Sequence, residues 1–178
     1  VDVGSALIIR SDATLTNTHD GSFTSSGTFT NQGTFTKSIG TGTTTFSVAS
    51  FSNTGTVNAS SGTLALNSTT LTQHSGTTLT GGTWNVTNGA AITRTAGSNI
   101  TTIGSAATVL LDGAGSSFAK VTTALNNNQG SFTIKNDRDL TTAGAYTNSG
   151  TTRVESSTII DQTVMTIGAG GSAAYTQT

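Results

Sequence analysis

A glycine-led repeat of about 21 residues constrains this chain more than any other feature. Aligning Asp12 with Gly33, Gly55, Gly76 and Gly97 gives spacings of 21, 22, 21 and 21, and after an interval of 33 the glycines Gly130, Gly150 and Gly171 continue at 20 and 21. Each unit opens with Gly followed by Ser or Thr, as in Gly33-Thr34-Phe35, Gly55-Thr56-Val57 and Gly130-Ser131-Phe132. Residues 55–75 show the interior of one unit: Thr56-Val57-Asn58-Ala59, Thr63-Leu64-Ala65-Leu66 and Thr69-Thr70-Leu71-Thr72 are separated by Ser60-Ser61-Gly62 and Asn67-Ser68. Apolar and polar residues alternate, which predicts three short strands with one face inward, joined by corners whose Gly and Asn supply the left-handed backbone. One such triplet cannot bury its apolar side alone, whereas stacked triplets form a continuous interior. The expected fold is an all-β parallel β-solenoid, a single domain over residues 1–178 of about eight coils with three strands each, some 38 Å long at about 4.8 Å per coil.

Counting from each opening glycine places similar side chains on successive coils. Leu71 is expected beside Ile92, Leu64 beside Trp84 and Leu66 beside Val86; in the second half Ile134 falls beside Val154, Leu140 beside Ile160 and Lys135 beside Glu155. Phe23, Phe29 and Phe35 recur at every sixth position, as inward positions on successive faces. The stretch 97–129 breaks the period and reads as a longer, irregular coil or insertion with a protruding loop, of the kind that carries binding residues on repeat scaffolds. Val1 to Ile9 reads as an apolar capping strand, and Gly171 to Thr178 begins another unit and stops, as expected of a piece of a larger multidomain protein or of a chain that stacks end to end.

Composition excludes most alternatives. Among 178 residues there are 41 Thr, 22 Ser, 13 Asn and 22 Gly, no Pro and no Cys, which is the wrong balance for a helical bundle or a doubly wound α/β enzyme. Disorder is argued against by the low charge and the regular placing of Val, Ile, Leu and Phe. A net charge of −1 provides no footprint for nucleic acid or an anionic membrane. No apolar run is long enough to span a bilayer, so no membrane insertion is expected. Without Cys there are no disulfides, thiolate metal sites or Cys nucleophiles.

The phrases Phe29-Thr30-Asn31-Gln32-Gly33-Thr34-Phe35 and Phe51-Ser52-Asn53-Thr54-Gly55-Thr56-Val57-Asn58, with Ser61-Gly62-Thr63-Leu64-Ala65-Leu66, resemble the repeats of large bacterial β-helical surface proteins such as filamentous haemagglutinin and autotransporter passengers. The resemblance runs from about Asp12 to Thr178 and marks no catalytic motif. It implies a right-handed β-helix that is secreted or held at a cell surface. The scaffold is also similar to that of β-helical carbohydrate-binding modules, pectate lyases and polygalacturonases, an analogy that points toward glycans.

A β-helical lyase needs a carboxylate cluster and a base, and a hydrolase needs two carboxylates at a set separation. The one dense charged run is Lys135-Asn136-Asp137-Arg138-Asp139. Asp137 and Asp139 would share a side if the strand continued, with Arg138 opposite and Arg153 and Glu155 one coil away. The plainer reading is a Lys135–Glu155 ion pair between coils and a polar corner at Asn136-Asp137, with no catalytic residues, no metal and no cofactor. His19 and His74 read as solvated turn residues. Trp84 and Tyr146 are either core or sugar-stacking platforms, depending on which way they face. Asn126-Asn127-Asn128-Gln129 reads as an exposed corner. Thr-x-Thr pairs recur at Thr14/Thr16, Thr34/Thr36 and elsewhere, but Thr56 with Asn58 interrupts them and later coils lose the pattern, which argues against an ice-ordering array.

These observations lead to a secreted, non-catalytic module that binds extended, plant-type polysaccharide along one flank. The candidate contacts are Asn126, Asn128, Lys135, Asp137, Arg138, Asp139, Arg153, Glu155, Trp84 and Tyr146. The alternatives are a structural adhesin or stalk segment and, further off, a polysaccharide lyase or hydrolase, or an ice-binding protein.

Overall fold

Alternation of apolar and polar residues becomes, in space, walls with one wet and one dry face. The computed structural model describes residues 5–68, 70–142, 144–155 and 165–166. One wall has seven parallel strands: Thr14–Asn17, Thr34–Lys37, Thr56–Ala59, Gly82–Thr87, Ala107–Asp112, Ser131–Lys135 and Thr151–Glu155. In Ala107–Asp112 the residues Ala107, Val109 and Leu111 are buried, and Thr108, Leu110 and Asp112 face out. A second sheet joins Leu7–Ile9, Gly21–Asn31, Thr43–Asn53, Thr63–Leu66, Ala91–Thr93 and Ser117–Phe118, with Thr70–Leu71 added beside Thr43–Asn53. Its two longest strands, Gly21–Asn31 and Thr43–Asn53, bend around a corner. Their register shifts between Ser25 and Thr28, where the Gly27 amide donates to Ser25 Oγ at 2.9 Å. A third sheet takes His74–Ser75, Thr78–Leu79, Thr102–Ile103, Asn127–Asn128 and Thr147–Asn148.

Every pairing between coils is parallel; the one antiparallel pair among the described residues, His74–Ser75 with Thr78–Leu79, is a hairpin inside a single coil. The chain is therefore all-β and β-solenoidal, with about six turns in the described residues. Its one described helix, Ala119–Thr122, is a single turn. No described helix is long and apolar enough to cross a membrane.

The period is not constant. Register aligns Thr14, Thr34, Thr56, Thr83, Thr108, Ser131 and Thr151, and the steps between these numbers lengthen toward the middle of the stack and shorten again. The longest steps are those from Thr56 to Thr83 and from Thr83 to Thr108. The longer coils are not confined to 97–129: extra residues begin at the 74–79 hairpin and spread over three coils. Gly76 and Gly97 do not continue the column of Gly33 and Gly55. They occupy other turns, at φ +58° and +78°, which suit glycine for conformational reasons. Three of the expected stacks fail for the same reason. Trp84 lies between Val57 and Val109 rather than beside Leu64, Ile92 pairs with Leu64 and Phe118 rather than Leu71, and Val86 pairs with Ala59 and Leu111 rather than Leu66. Ile134 with Val154 and Lys135 with Glu155 hold, because the coil from Ser131 to Thr151 has the expected short length. Leu140 pairs with Met165; Ile160 and the segment Gly171 to Thr178 lie outside the described residues. At the other end Leu7–Ile9 lies as a strand against Phe29–Asn31.

Aromatic rings fill the first half of the interior. Phe29, Phe35, Phe46 and Phe51 are fully buried, with Phe29 stacked on Phe51 at 4.9 Å, and Phe23, partly buried, stacks on Phe46 at 4.6 Å. Trp84 and Phe118 continue the column at 5.5 Å. At the corner preceding the seven-stranded wall, buried asparagines link coil to coil. Asn31 Nδ2 donates to Asn53 Oδ1 at 2.8 Å and to the Thr56 carbonyl at 2.8 Å, and Asn53 Nδ2 donates to the Thr83 carbonyl at 3.2 Å. Asn128 repeats this with Asn148 Oδ1 at 2.9 Å and the Thr151 carbonyl at 2.9 Å. The following glycines are required by space: a Cβ on Gly55 would meet the Gly33 carbonyl oxygen at 2.1 Å, and one on Gly150 the Gly130 oxygen at 2.2 Å.

Candidate functional site

The outer face of the seven-stranded wall is the most regular surface the fold presents. Its first column is a hydroxyl on every strand: Thr14, Thr34, Thr56, Thr83, Thr108, Ser131 and Thr151. Two residues along lies a mixed column of Thr16, Thr36, Asn58, Asn85, Leu110, Thr133 and Arg153. Strands in a ladder stand about 4.8 Å apart, so the first column repeats a hydroxyl at that interval. The expectation that the Thr pattern is lost in later coils therefore holds for the mixed column and fails for the first, where unequal coil lengths had hidden the continuity. Amides brace the mixed column, with Asn58 Nδ2 donating to Thr36 Oγ1 at 3.1 Å and Asn85 Nδ2 to Asn58 Oδ1 at 2.9 Å.

Charges gather at the far end of this wall. Register places Thr87, Asp112, Lys135 and Glu155 in line. The ion pairs differ from the expected Lys135–Glu155 bridge. Lys135 Nζ lies 3.4 Å from Asp112 Oδ2, and Arg153 lies 3.6 Å from Glu155. Asn136 Nδ2 also donates to Asp112 Oδ1 at 2.6 Å, which ties the loop after Lys135 to the preceding coil. These pairs are partly or largely exposed, where such contacts contribute at most about 1 kcal/mol.

Asn136 and Asp137 form the polar corner, both left-handed at φ +55° and +62°. The strand ends at Lys135, so Asp137 and Asp139 do not continue an alternating face. Arg138 turns back to the chain, its guanidinium donating to the carbonyls of Ser116 and Asp139. Burial lowers its pKa, and the Asp139 charge works the other way. Among the described residues no group of three His, Asp or Glu is placed to hold a metal ion.

Three candidates face inward, which is a correction. Trp84 is fully buried, with Nε1 donating to the Gly81 carbonyl at 3.0 Å, and neither ring face is open to a sugar. Tyr146 is 1% exposed, with its hydroxyl 2.6 Å from Thr152 Oγ1, and burial raises its pKa. Asn128 is a rung of the interior ladder, while Asn126, two residues earlier, is exposed. His74 is a partly buried strand residue with a sealed Nε2 rather than a solvated turn residue; His19 is exposed as expected.

Sequence reasoning passed over Lys37, which alternation puts on the inner face at the end of its strand. It is fully buried and its Nζ donates to Asp20 Oδ1 at 2.6 Å and to the Ile39 carbonyl at 3.1 Å. Asp20 in turn accepts from the Gly42 amide at 2.9 Å, and the Lys37 hydrogen bond leads the influences that lower its pKa. Strict alternation of Thr34-Phe35-Thr36-Lys37 was the available signal. Comparison with family models, with curated proteins and with solved structures finds no match.

Proposed function

We propose that this chain is a non-catalytic module of a secreted or cell-surface protein, and that its hydroxyl-bearing wall docks an extended polysaccharide. The carrying observation is the unbroken column from Thr14 to Thr151, flanked by Asn58, Asn85 and the Lys135, Arg153 and Glu155 end. Hydroxyls both donate and accept, as sugars do, and one hydroxyl per coil provides a repeating partner for a repeating chain. Binding on this wall rests on hydrogen bonds rather than stacking, since Trp84 and Tyr146 are inside. The coils are taken as right-handed, the sense favoured for parallel strand connections.

Affinity electrophoresis in gels containing xylan, pectin, β-glucan or a soluble cellulose derivative tests this reading. Retardation by at least one is expected, and replacing Thr56, Thr83 and Thr108 together by Val should weaken it about tenfold or more, from three lost hydrogen bonds of roughly 0.5–1.5 kcal/mol each. No retardation in any gel would refute it.

The second reading is a structural segment of an adhesin or stalk. Six of the seven Phe rings and Trp84 are buried in the interior with only Phe23 partly exposed, and this favours a rod whose surface is built for water. Inert behaviour in every gel is its expected outcome. Growth arrest of ice crystals by the wild type, lost in the triple Val variant, would instead assign the hydroxyl column to ordered water.

A further inference from the structure

Away from the hydroxyl wall, the longer coils bring three basic side chains to one corner. His74 comes from the hairpin, Arg94 from the segment after Ala91–Thr93, and Lys120 from the short helix. Gly97 lies between them. Lys120 Nζ donates to its carbonyl at 3.0 Å, and a Cβ there would stand 3.0 Å from His74 Nδ1 and 3.4 Å from an Arg94 terminal nitrogen. The coils are pinned here by Ser98 Oγ donating to the Gly76 carbonyl and by the Ile100 amide donating to the Lys120 carbonyl at 2.9 Å.

Among the described residues no carboxylate pairs with this basic cluster. Arg94 is 8% exposed; its Nε donates to the Ala96 carbonyl at 2.8 Å, and one terminal nitrogen is sealed with no hydrogen-bond partner. His74 Nε2 is sealed and unpartnered as well. The three ion pairs among the described residues use Lys37, Lys135 and Arg153, none of them here. A buried guanidinium is costly unless something negative accompanies it. The pKa of Arg94 is lowered by burial alone, and that of His74 by burial and then by the Arg94 charge, against a backbone hydrogen bond at Gly76 that works the other way.

We infer that His74, Arg94 and Lys120, arranged around Gly97, form a binding site for one oxyanion of the carboxylate or sulfate type. The ammonium of Lys120, partly exposed, meets the anion first. The Arg94 guanidinium beneath the turn supplies the second contact, since Arg presents paired donors matched to such an oxyanion. This site lies off the hydroxyl wall and stands whether or not that wall binds glycan. The same oxyanion is available from a free salt or from an acidic sugar unit of a polysaccharide.

The test is a side-chain and amide NMR titration of the full chain with sodium sulfate, sodium acetate and, separately, oligogalacturonate, each against sodium chloride at constant ionic strength. Saturable shifts at Arg94 Nε–H and the Gly97 amide are expected with sulfate or acetate, weakened about fivefold in Lys120→Gln and lost in Arg94→Gln. Should Arg94→Gln fail to fold, Lys120→Gln still decides. Tighter saturation by oligogalacturonate than by acetate assigns the oxyanion to a glycan; saturation by the salts alone assigns it to a free anion. Linear, unsaturable shifts with all three, or titrations that coincide in wild type and Lys120→Gln, would overturn the site and leave the Arg94 nitrogen to an internal water.

Discussion

Two asparagines with similar side-chain hydrogen bonding, one buried and one half-buried on the outer face, offer a controlled test of what holds the coils in register. Asn53 is fully buried; it accepts from Asn31 Nδ2 and donates to the Thr83 carbonyl. Asn58 stands on the outer face, accepting from Asn85 Nδ2 and donating to Thr36 Oγ1. Replacing Asn53 by Ala removes two bonds worth about 1 kcal/mol each and leaves one donor of the buried Asn31 amide short of a partner. It also leaves Asn31, whose Oδ1 already lacks a partner, with its bond to the Thr56 carbonyl. The expected loss is about 3 kcal/mol. At Asn58 water replaces both partners, and the expected loss is about 0.5 kcal/mol.

Equilibrium urea denaturation followed by circular dichroism reads the difference. With a slope of about 2 kcal/mol/M, the midpoint should fall by about 1.5 M for Asn53→Ala and about 0.25 M for Asn58→Ala. The slope must stay constant across the variants, because a stacked array can lose cooperativity and then no single free energy describes it. Equal midpoint shifts, or a shift below about 0.5 M for Asn53→Ala, would refute the claim that the interior ladder locks adjacent coils together.

Gly55→Ala should destabilise by about 2–3 kcal/mol, since its Cβ would sit 2.1 Å from the Gly33 oxygen, whereas Gly144→Ala, with nothing within 4 Å, should stay within about 0.5 kcal/mol in the same assay. The single tryptophan, Trp84, should emit in the blue range typical of a buried indole and resist acrylamide quenching until the chain unfolds, and Trp84→Ala should cost about 3–5 kcal/mol. Asp20 has its pKa lowered below 3.8 in the folded chain, so its contribution is complete above 3.8 and is lost as pH falls through the folded value. Asp20→Asn should therefore lower stability at neutral pH and flatten the acid limb of a stability-against-pH curve measured by thermal melting. An acid limb identical to that of the wild type would refute the coupling to Lys37.

The sequence made the architecture readable because a parallel stack forces like to sit on like. Gly33 over Gly55 and Gly130 over Gly150 are true neighbours, and strict alternation sorted Val57, Val109 and Ile134 inward. It misled where the coils lengthen. In a chain with 22 glycines, Gly76 and Gly97 recur at the right interval while occupying different turns, and this masked the two longest coils, those that end at Thr83 and Thr108. The error moved Trp84 off its true column and hid the continuous hydroxyls.

The surface was harder to read than the core. Asn128 and Asn126 differ by two positions and by side, as one of them turns into the interior ladder. The pairing of Lys135 with Asp112 rather than Glu155 was beyond pattern reasoning, because register places both carboxylates beside the same lysine and side-chain torsions decide between them. The corner of His74, Arg94 and Lys120 was invisible for a related reason. Its members lie far apart along the chain at unequal intervals, and only the unequal coils bring them together.

Coil register is tested most directly by backbone nuclear Overhauser contacts at Asn85 in a deuterated, amide-protonated sample. Contacts to the Asn58 and Leu110 strands are expected on its two sides. Contacts to Ala65 instead, the neighbour that would fall there if every coil were as short as the one from Thr14 to Thr34, or an antiparallel pattern, would contradict the stack of unequal coils and with it the continuous hydroxyl wall.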